Sequence, residues 1–423
     1  MIARFCFTVL FGLLAAFSLR AQNAYLLRPD RVFDGEAIHE NWVVWVKGER
    51  IEAVGDAARL PAEAQQAKVI DLKGMTLLPG LIEGHSHLFL HPYNETPWDD
   101  QVLKEPRAYR TARAVKHAEL TLLAGFTTVR DLGTEGADYD DVGLKKAINE
   151  GVIPGPRMIV ATRALIATGS YGPKGFSSDV PVPQGAEEAD GHDGLIRAVR
   201  TQIGKGADVI KIYADYRWGP SGETRPTYSE EEIRLIVETA RSSGRPVVAH
   251  ASTPEGMRRA ILAGVETIEH GDGGTPEIWK LMQEKNVALC PTLAAGDAIS
   301  QYRGWKKGKA TEPERITQKK NSFRQALAAG VPIVMGGDVG VYAHGTNARE
   351  MELMVEYGMK PLDVLRAATA GNARIFHQES QIGSVKSGLL ADLIAVQGNP
   401  SVVIQDLENV PFVMKSGKIY KSL

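Results

Sequence analysis

Two histidines one residue apart, His85 and His87, follow the apolar run of residues 75–82. Alternate residues of a β-strand share a face, so this spacing predicts that both imidazoles point to the same side at the end of a strand. Two imidazoles that converge in this way can chelate a metal ion. A His-x-His pair on its own is weak evidence, because most such pairs are ordinary surface or core residues, so the interpretation depends on the rest of the chain.

Other side chains that can bind metal occur at the ends of later apolar segments. Lys211 lies inside the β-branched segment 209–213, and a lysine is rarely buried without a partner. A histidine at a strand end is often a structural residue, and an aspartate after a strand often forms a turn. The repeated coincidence with strand ends nevertheless favours one joint site. The candidate ligands are His85, His87, Lys211, His250, His270 and Asp338.

This ligand set suits two divalent metal ions. Imidazole nitrogens and a carboxylate are preferred by Zn²⁺, so zinc is the expected metal. The neutral amine of Lys211 can react with CO₂ to give a carbamate, which could bridge two ions that lie about 3.5–4 Å apart. Such a pair can share a hydroxide and lower its pKa to about 7, and Asp338 is placed to carry the proton to a leaving group. We therefore expect Lys211 and Asp338 to be the catalytic residues.

The segments that position these residues alternate between strand and helix patterns over residues 79–380. One helix pattern, residues 229–242, begins with the capping pair Ser229 and Glu232. Alternation of this kind predicts an α/β fold with a parallel (β/α)₈ TIM-like barrel, in which residues at the carboxyl ends of the strands meet. A doubly wound open sheet is the alternative, although no Gly-x-Gly-x-x-Gly stretch follows an early strand. The predicted strands are residues 81–87, 127–132, 157–161, 209–213, 246–250, 267–270, 288–291 and 333–337.

The two ends of the chain differ from this middle part. Residues 22–78 and 381–423 contain short strand patterns separated by turns, which predicts one small β-sandwich that the chain enters twice. The net charge of −2 gives no electrostatic reason to expect binding to nucleic acid or to an anionic membrane.

Residues 1–21 have the pattern of a secretory signal peptide. Arg4 precedes the apolar run 5–19, and Ala21 offers a small residue for cleavage. A buried helix or a membrane anchor is the alternative, although the run is short for a bilayer span. We therefore expect an exported protein, periplasmic or secreted. Removal of Cys6 with this segment would leave only Cys290, so no intramolecular disulfide could form.

Taken together, the candidate ligands resemble the metal-site pattern of the amidohydrolase superfamily, in its binuclear branch with a carboxylated lysine. The resemblance covers nearly the whole mature chain, and residues 383–392 are similar to the stretch by which these enzymes return to their β-sandwich. Residues 338–350 resemble the prolidase-like and imidazolonepropionase-related group. Residues 91–95 and 211–215 are similar, in particular, to bacterial ochratoxin-hydrolysing amidohydrolases.

This resemblance implies a role for each ligand. The more buried ion would be held by His85, His87 and Asp338. The second ion would be held by His250 and His270, with a bridge from Lys211. Relatives of this kind often assemble into large homo-oligomers, which implies a homo-oligomer here and an octamer as one form.

The resemblance also implies hydrolysis of an amide by an exported carboxypeptidase-like or dipeptidase-like enzyme. Its substrates would be N-acyl amino acids or short peptides, with the amide bond of ochratoxin A as one candidate. Recognition of a free carboxylate needs cationic or hydroxyl donors, for which Tyr213 and His344 are the candidates and Arg217 a further one. Tyr93 and Trp98 would suit an aromatic acyl group.

Three other functions stay open. A cyclic-amide hydrolase of the imidazolonepropionase or dihydropyrimidinase kind fits the ligands, although export argues against a cytosolic pathway. Hydrolysis of phosphotriesters or lactones could use the same metal pair. For a metal-binding barrel without catalysis, a ligand set that lacks Lys211 or Asp338 would be expected, and both are present.

Overall fold

The computed structural model describes residues 23–177 and 179–423. The predicted signal peptide, residues 1–21, lies outside the described residues. The strands are β1 Ala24–Phe33, β2 Ile38–Glu40, β3 Trp42–Lys47, β4 Arg50–Asp56, β5 Lys68–Pro79, β6 Leu81–Ser86, β7 Phe126–Asp131, β8 Arg157–Val160, β9 Leu165–Ile166, β10 Glu187–Glu188, β11 Ile210–Tyr213, β12 Asp215–Arg217, β13 Thr224–Pro226, β14 Val247–Ala251, β15 Thr267–His270, β16 Ala288–Cys290, β17 Leu393–Gln397, β18 Phe412–Lys415 and β19 Lys418–Lys421.

The helices lie mostly between the strands of the middle part. They are α1 Trp98–Lys104, α2 Arg107–Leu123, α3 Asp140–Asn149, α4 Gly191–Lys205, α5 Glu230–Arg241, α6 Pro254–Ala263, α7 Pro276–Lys285, α8 Leu293–Tyr302, α9 Glu314–Ala328, α10 Ala348–Glu356, α11 Pro361–Arg366 and α12 Asn372–Ile375. Short 3₁₀ helices span Ala57–Arg59, Ala62–Gln66 and Ile404–Glu408, and a π-helical turn spans Ala367–Gly371. Within the described ranges, no helix is both long enough and apolar enough to cross a membrane.

Both ends of the described chain meet in one mixed sheet. Its strand order is β19-β18-β17-β5-β1-β3-β4, with β2 paired to β1. Strand β5 joins the two ends, because it pairs in parallel with β1 and antiparallel with β17. Apolar side chains from both ends, among them Leu27 and Leu393, are fully buried in one cluster. The meeting of the two ends therefore agrees with expectation, whereas the division of this sheet into a sandwich stays a prediction.

The middle part contains parallel strands in two groups, β6-β7-β8 and β10-β9-β11-β14-β15-β16. Backbone hydrogen bonds connect the groups at both edges. The Asp208 amide donates to the Val160 carbonyl, 2.8 Å away, next to β8. On the other side, residues 332–339 bond to β16 and to β6. Helices alternate with these strands, and the α/β fold class is confirmed. The regular eight-stranded barrel stays a prediction.

The predicted last strand, residues 333–337, differs from expectation. It forms isolated bridges from Ile333 to Leu289 and from Val339 to Ser86 instead of a continuous ladder. The backbone passes too close to its neighbours for side chains, since a Cβ on Gly336 would lie 2.7 Å from the His85 amide nitrogen. Asp338 then adopts a left-handed φ of 61°, which ends the extended conformation.

Helix α5 confirms the predicted capping box. The Ser229 hydroxyl accepts a hydrogen bond from the Glu232 amide at 3.1 Å, and the Glu232 carboxylate accepts one from the Ser229 amide at 2.9 Å. Both orphan amides at the start of the helix are thereby satisfied. The buried face of α5, which includes Ile233 and Ile236, packs into the largest apolar cluster around the parallel strands. Such packing holds the strand ends in place and so fixes the positions of the site residues.

Candidate metal centre

The predicted ligands meet at the carboxyl ends of the parallel strands. Each of them is supplied by a strand, or by the first residues after one, because parallel strands bring these ends to a common edge. Their positions are His85 in β6, His87 directly after β6, Lys211 in β11, His250 in β14, His270 at the end of β15 and Asp338 after the segment that bridges β16 and β6.

The imidazoles lie within reach of a shared pair of ions. The ring centroids of His85 and His87 are 5.3 Å apart, and so are those of His85 and His270. The rings of His250 and His270 are 4.4 Å apart. Ligand atoms of His85, His270 and Asp338 all lie within 4.8 Å of one another. The structure therefore assembles a group of side chains that could hold metal.

His85, His87 and Asp338 form the part of the site that we call the first corner. The Nδ1 atom of His85 lies 2.8 Å from a carboxylate oxygen of Glu269, and Nδ1 of His87 donates to the Gly133 carbonyl at 2.8 Å. The Nε2 atoms of His85 and His87 face Asp338 Oδ1 at 3.7 and 3.3 Å. Partners of this kind fix the ring orientation and leave Nε2 for a metal ion.

The ionisation of His87 and Asp338 indicates that the space between them favours a cation. Burial opposes a charge on His87, but its hydrogen bond to Asp338 and the charge of that carboxylate raise its pKa to about 9. Burial also opposes ionisation of Asp338, yet His85 and His87 hold the pKa of Asp338 well below its usual range. A proton satisfies the pair, and a divalent ion between Nε2 and the carboxylate would do so in its place.

Glu269 and Arg130 support the first corner from within the buried strands. The Arg130 guanidinium donates to Glu269 at 2.9 Å and to the Gly84 carbonyl at 2.7 Å. Burial would raise the pKa of Glu269, but the charges of Arg130 and His85 hold it well below its usual range. The sequence analysis missed this pair. The sequence pattern that identified Lys211, a charged residue inside an apolar strand, could also have identified Arg130 and Glu269.

His250 and His270 form the second corner. The Nδ1 atom of His270 lies 2.8 Å from the Thr292 hydroxyl, and the His250 ring stacks on Tyr213 with centroids 4.6 Å apart. Burial and the nearby Lys211 lower the pKa of His250 to about 3, while burial and His250 place the pKa of His270 well below its usual value. Both rings are therefore neutral, which is the form that binds metal.

Lys211 is the only ligand candidate that is basic in its ordinary state. Its side chain is buried, and the structure gives its Nζ no hydrogen bond or ion pair with any described residue. Burial lowers the pKa of Lys211, although Glu269 and Asp338 oppose the shift. A lowered pKa makes the neutral amine, which is the form that reacts with CO₂, more accessible than it is for an exposed lysine. The imidazoles and the carboxylate gathered here could hold metal, and Lys211 lies buried beside them.

A cavity of about 820 Å³ opens over these residues. The predicted aromatic residues Tyr93, Trp98 and Tyr213 line it, and so does Arg217. The Tyr213 hydroxyl lies 3.4 Å from Glu135 Oε1, so its immediate neighbour is a carboxylate rather than a cation. Cavity-lining residues that the sequence analysis did not identify are Asp99, Glu135, Tyr171, Tyr216, Arg303 and Arg315.

The structure does not bring His344 to the cavity. Its ring stacks on His117 with centroids 4.3 Å apart, and Nε2 donates to the Leu90 carbonyl at 3.1 Å. Only 6% of the residue is exposed, because the chain turns inward after Asp338 and packs against helix α2. The expected substrate contact of His344 is therefore corrected to a packing role.

Comparison with known proteins agrees with this geometry. The chain matches the amidohydrolase family over residues 76–421. It is 30% identical to an ochratoxinase of Aspergillus niger over 92% of this chain and 84% of the relative. It is 33% identical, with a TM-score of 0.83, to the crystal structure of a Xaa-Pro dipeptidase with bound methionine, covering 95% of this chain and all of that one. An imidazolonepropionase of Geobacillus is 23% identical over 84% of both chains.

These matches confirm the superfamily and the group that the sequence resembles. The superfamily is generally metal-dependent, in keeping with the imidazoles and carboxylate gathered at the strand ends. The chain belongs to the amidohydrolase family and is a hydrolase that acts on amide bonds.

Proposed function

We propose that this enzyme hydrolyses the amide bond of dipeptides or N-acyl amino acids at two divalent metal ions, most suitably zinc. The observation that carries the proposal is the position of the two imidazole pairs and Asp338 on one wall of a large cavity, with the buried Lys211 on the neighbouring strand β11. The likeness to an ochratoxinase and to a Xaa-Pro dipeptidase supports it, and makes the amide bond of ochratoxin A a candidate substrate.

The ligand roles follow from the two corners. His85, His87 and Asp338 would hold the more buried ion, and His250 and His270 would hold the other. Lys211 lies close to both groups: burial lowers the pKa of His85 and of His250, and the protonated form of Lys211 would lower both further. As a carbamate it would carry a negative charge, and would bridge the two ions instead of repelling them.

Bound metal ions would polarise the substrate carbonyl and lower the pKa of a water molecule. The protein supplies the proton transfer. Asp338 lines the cavity, and its low pKa keeps the carboxylate ionised, so that it can take up the proton that the attacking water loses. It then delivers this proton to the nitrogen of the departing amine, as a general acid does. Its left-handed backbone and the hydrogen bond from its amide to the His85 carbonyl hold it in place.

The substrate's ends would meet different parts of the cavity. Arg217, Arg303 and Arg315 line it and offer guanidinium groups for a free carboxylate. Tyr213 lines the cavity and stacks its ring on His250, so we assign it a contact with the substrate beside the second corner. Tyr93 and Trp98 add aromatic surface for an apolar side chain.

The remaining parts of the proposal concern architecture and location. The hydrogen bonds that join the two groups of parallel strands at both edges support a closed (β/α)₈ barrel, with a β-sandwich formed by the chain ends. The apolar segment at residues 5–19 supports export, and family resemblance supports a homo-oligomer. A small-molecule amide is the expected partner.

A substrate panel combined with metal analysis tests the function. We expect about two metal ions per chain and turnover of dipeptides or N-acyl amino acids with a free carboxylate, reduced at least about tenfold when that carboxylate is amidated. Preferred turnover of a cyclic amide, a lactone or a phosphotriester would replace the proposal by one of those activities. One ion per chain or none would refute the bridged centre.

A further inference from the structure

Glu135 is a buried carboxylate on the cavity wall that the proposed chemistry does not use. It follows strand β7, is 3% exposed and lines the cavity next to the metal ligands. Its backbone has a left-handed φ of 50°, which is unusual for a residue other than glycine. The Arg110 guanidinium holds this backbone by donating to the carbonyls of Thr134 and Glu135 at 2.9 and 2.7 Å. The fold therefore presents this side chain to the cavity at some conformational cost.

One carboxylate oxygen of Glu135 is fixed and the other is nearly free. Oε2 accepts hydrogen bonds from the Trp98 indole at 2.9 Å and the Tyr171 hydroxyl at 2.6 Å. Oε1 has only the long contact of 3.4 Å to the Tyr213 hydroxyl. No basic side chain of the described residues forms an ion pair with Glu135 within 4.0 Å. A buried carboxylate with spare acceptor capacity favours a cationic partner.

The walls around this carboxylate also favour a cation. The Tyr171 ring lies 5.1 Å from Trp98, 4.7 Å from Tyr213 and 4.8 Å from Tyr216, measured between centroids. Aromatic faces attract ammonium groups, so rings beside a carboxylate add to its attraction for one. All four aromatic residues line the same cavity as Glu135. The group is thus a candidate subsite for a protonated amine.

The position of Oε1 indicates which amine. A Cβ atom placed on Gly133 would lie 3.5 Å from Glu135 Oε1 and 3.8 Å from Cε1 of His87. The free oxygen therefore borders the first corner, where the scissile carbonyl would be held. In a dipeptide the α-nitrogen is two bonds from that carbonyl carbon, whereas a side-chain amine extends farther away. The α-ammonium group of the amino-terminal residue fits this placement.

We propose that Glu135 binds the α-ammonium group of a dipeptide, so that the enzyme prefers dipeptides to N-acyl amino acids. The inference rests on the proposed amide hydrolysis and narrows its substrate class. Trp98 and Tyr171 act as positioning residues, because they hold Oε2 and thereby direct Oε1 into the cavity. Glu135 itself determines specificity and takes no part in the proton transfer assigned to Asp338.

A matched substrate pair tests the proposal. Leucyl-phenylalanine and isocaproyl-phenylalanine differ only in the α-amine, so their comparison avoids a change of bulk. For the metal-loaded enzyme we expect kcat/KM to be at least about tenfold higher for the dipeptide. Glu135→Gln keeps the shape and an acceptor for Trp98 and Tyr171. It should lower kcat/KM for the dipeptide at least about tenfold and change that of isocaproyl-phenylalanine less than about threefold.

The outcomes separate this inference from the proposed function. If the wild-type enzyme cleaves isocaproyl-phenylalanine as well as the dipeptide, amide hydrolysis stands and the ammonium subsite is refuted. If Glu135→Gln lowers kcat/KM for both compounds equally, Glu135 has a structural role only and the inference is again refuted. Glu119→Gln on the exposed side of α2, where Glu119 pairs with Lys116, is the matched control and should change neither value.

A binding measurement decides the case in which neither compound is cleaved. Such a result would refute the proposed function, but calorimetry with a phosphinic dipeptide analogue and its counterpart without the amine would still report on the subsite. Binding that is at least about tenfold tighter with the amine, and that loses this difference in Glu135→Gln, supports the inference. Equal binding of both analogues overturns it.

Discussion

The two corners of the candidate metal centre differ in how firmly the protein holds them. The first corner is enclosed, since only 2% of the His85 side chain and 6% of the His87 side chain are exposed. The second corner is more open, with 17% of the His250 side chain exposed to the cavity. In the first corner, the buried carboxylate of Glu269 contacts His85. In the second corner, the Thr292 hydroxyl contacts His270, and the Tyr213 ring stacks on His250.

Glu83 extends this contrast. Its carboxylate accepts hydrogen bonds from the amides of His85 and Gly337 at 3.0 and 2.8 Å, and from the Asn347 side chain at 2.9 Å. It therefore ties strand β6 to the segment that carries Asp338. Outer partners of a metal ligand set its orientation and basicity. The difference between the corners leads us to expect a tightly held ion in the first and a more exchangeable, substrate-facing ion in the second.

Substitution of Lys211 should have the largest effect, because in the proposed site its carbamate would bridge the ions of the two corners. Lys211→Ala should reduce kcat by roughly a thousandfold or more and lower the bound metal, since the bridge between the ions is lost. Short carboxylic acids should restore part of the activity. Steady-state kinetics and metal analysis measure both effects.

Lys211→Arg separates the bridge from the charge. Arginine keeps a buried cation but does not form the carbamate, so this variant should be as inactive as Lys211→Ala. Activity near the wild-type level in Lys211→Arg would contradict the bridging role.

The next largest effect should come from the residues that hold the metal ligands in each corner, Glu269 beside His85 and Thr292 beside His270. Glu269→Gln should weaken metal binding about 10- to 100-fold, because His85 loses its carboxylate partner. It should also lower the free energy of unfolding by about 3–5 kcal/mol, since Arg130 stays buried without its counter-charge. Metal competition and denaturant unfolding give the two quantities.

Thr292→Val is the matched variant in the second corner. It removes only the hydroxyl near His270, so we expect a loss of about 1 kcal/mol in unfolding free energy and a smaller change in metal affinity. Equal effects of Glu269→Gln and Thr292→Val would show that the corners are supported alike.

Removal of metal from the wild-type enzyme should also show that the first corner holds its ion more tightly than the second. In a chelator titration we expect two steps separated by about tenfold in free metal concentration, with the second-corner ion lost first. His270→Ala should abolish the early step and leave the late one. Loss of both ions in a single step would mean that the corners bind metal as one unit.

The smallest effect should come from the Tyr213 hydroxyl. Tyr213→Phe keeps the ring that stacks on His250 and removes a group whose contacts, at 3.4 and 3.5 Å, are long. We expect kcat/KM to fall only about two- to fivefold in steady-state assays. A fall of about fiftyfold or more would show that the hydroxyl itself contacts the reacting substrate.

Much of the candidate site could be predicted from residue types and strand periodicity. His85 and His87 share a face because of the strand geometry, and a charged residue such as Lys211 in an apolar strand indicates a special environment. His344 was misplaced for a physical reason. Whether a residue seven positions beyond the predicted strand 333–337 turns toward the cavity depends on what packs beside it, and here helix α2 supplies His117.

Glu135 shows the other limit of sequence patterns. Its acceptor contacts come from Trp98 and Tyr171, which lie 37 and 36 positions away, and its backbone is held by Arg110. No local pattern marks a loop glutamate as part of a cavity wall. The candidate role became visible only once two loops, which carry Glu135 and Tyr171, and the helices α1 and α2 were brought together.

The sequence by itself determined the α/β fold class, the group of relatives and which residues are candidate ligands, because each depends on residue type and short-range periodicity. Only the tertiary structure decided which groups are neighbours: Arg130 with Glu269, Glu269 with His85, and Glu135 with the aromatic wall. These contacts join residues that are far apart along the chain. They form only when the packing of the strands and helices brings those residues together. The difference between the two corners arises from this packing.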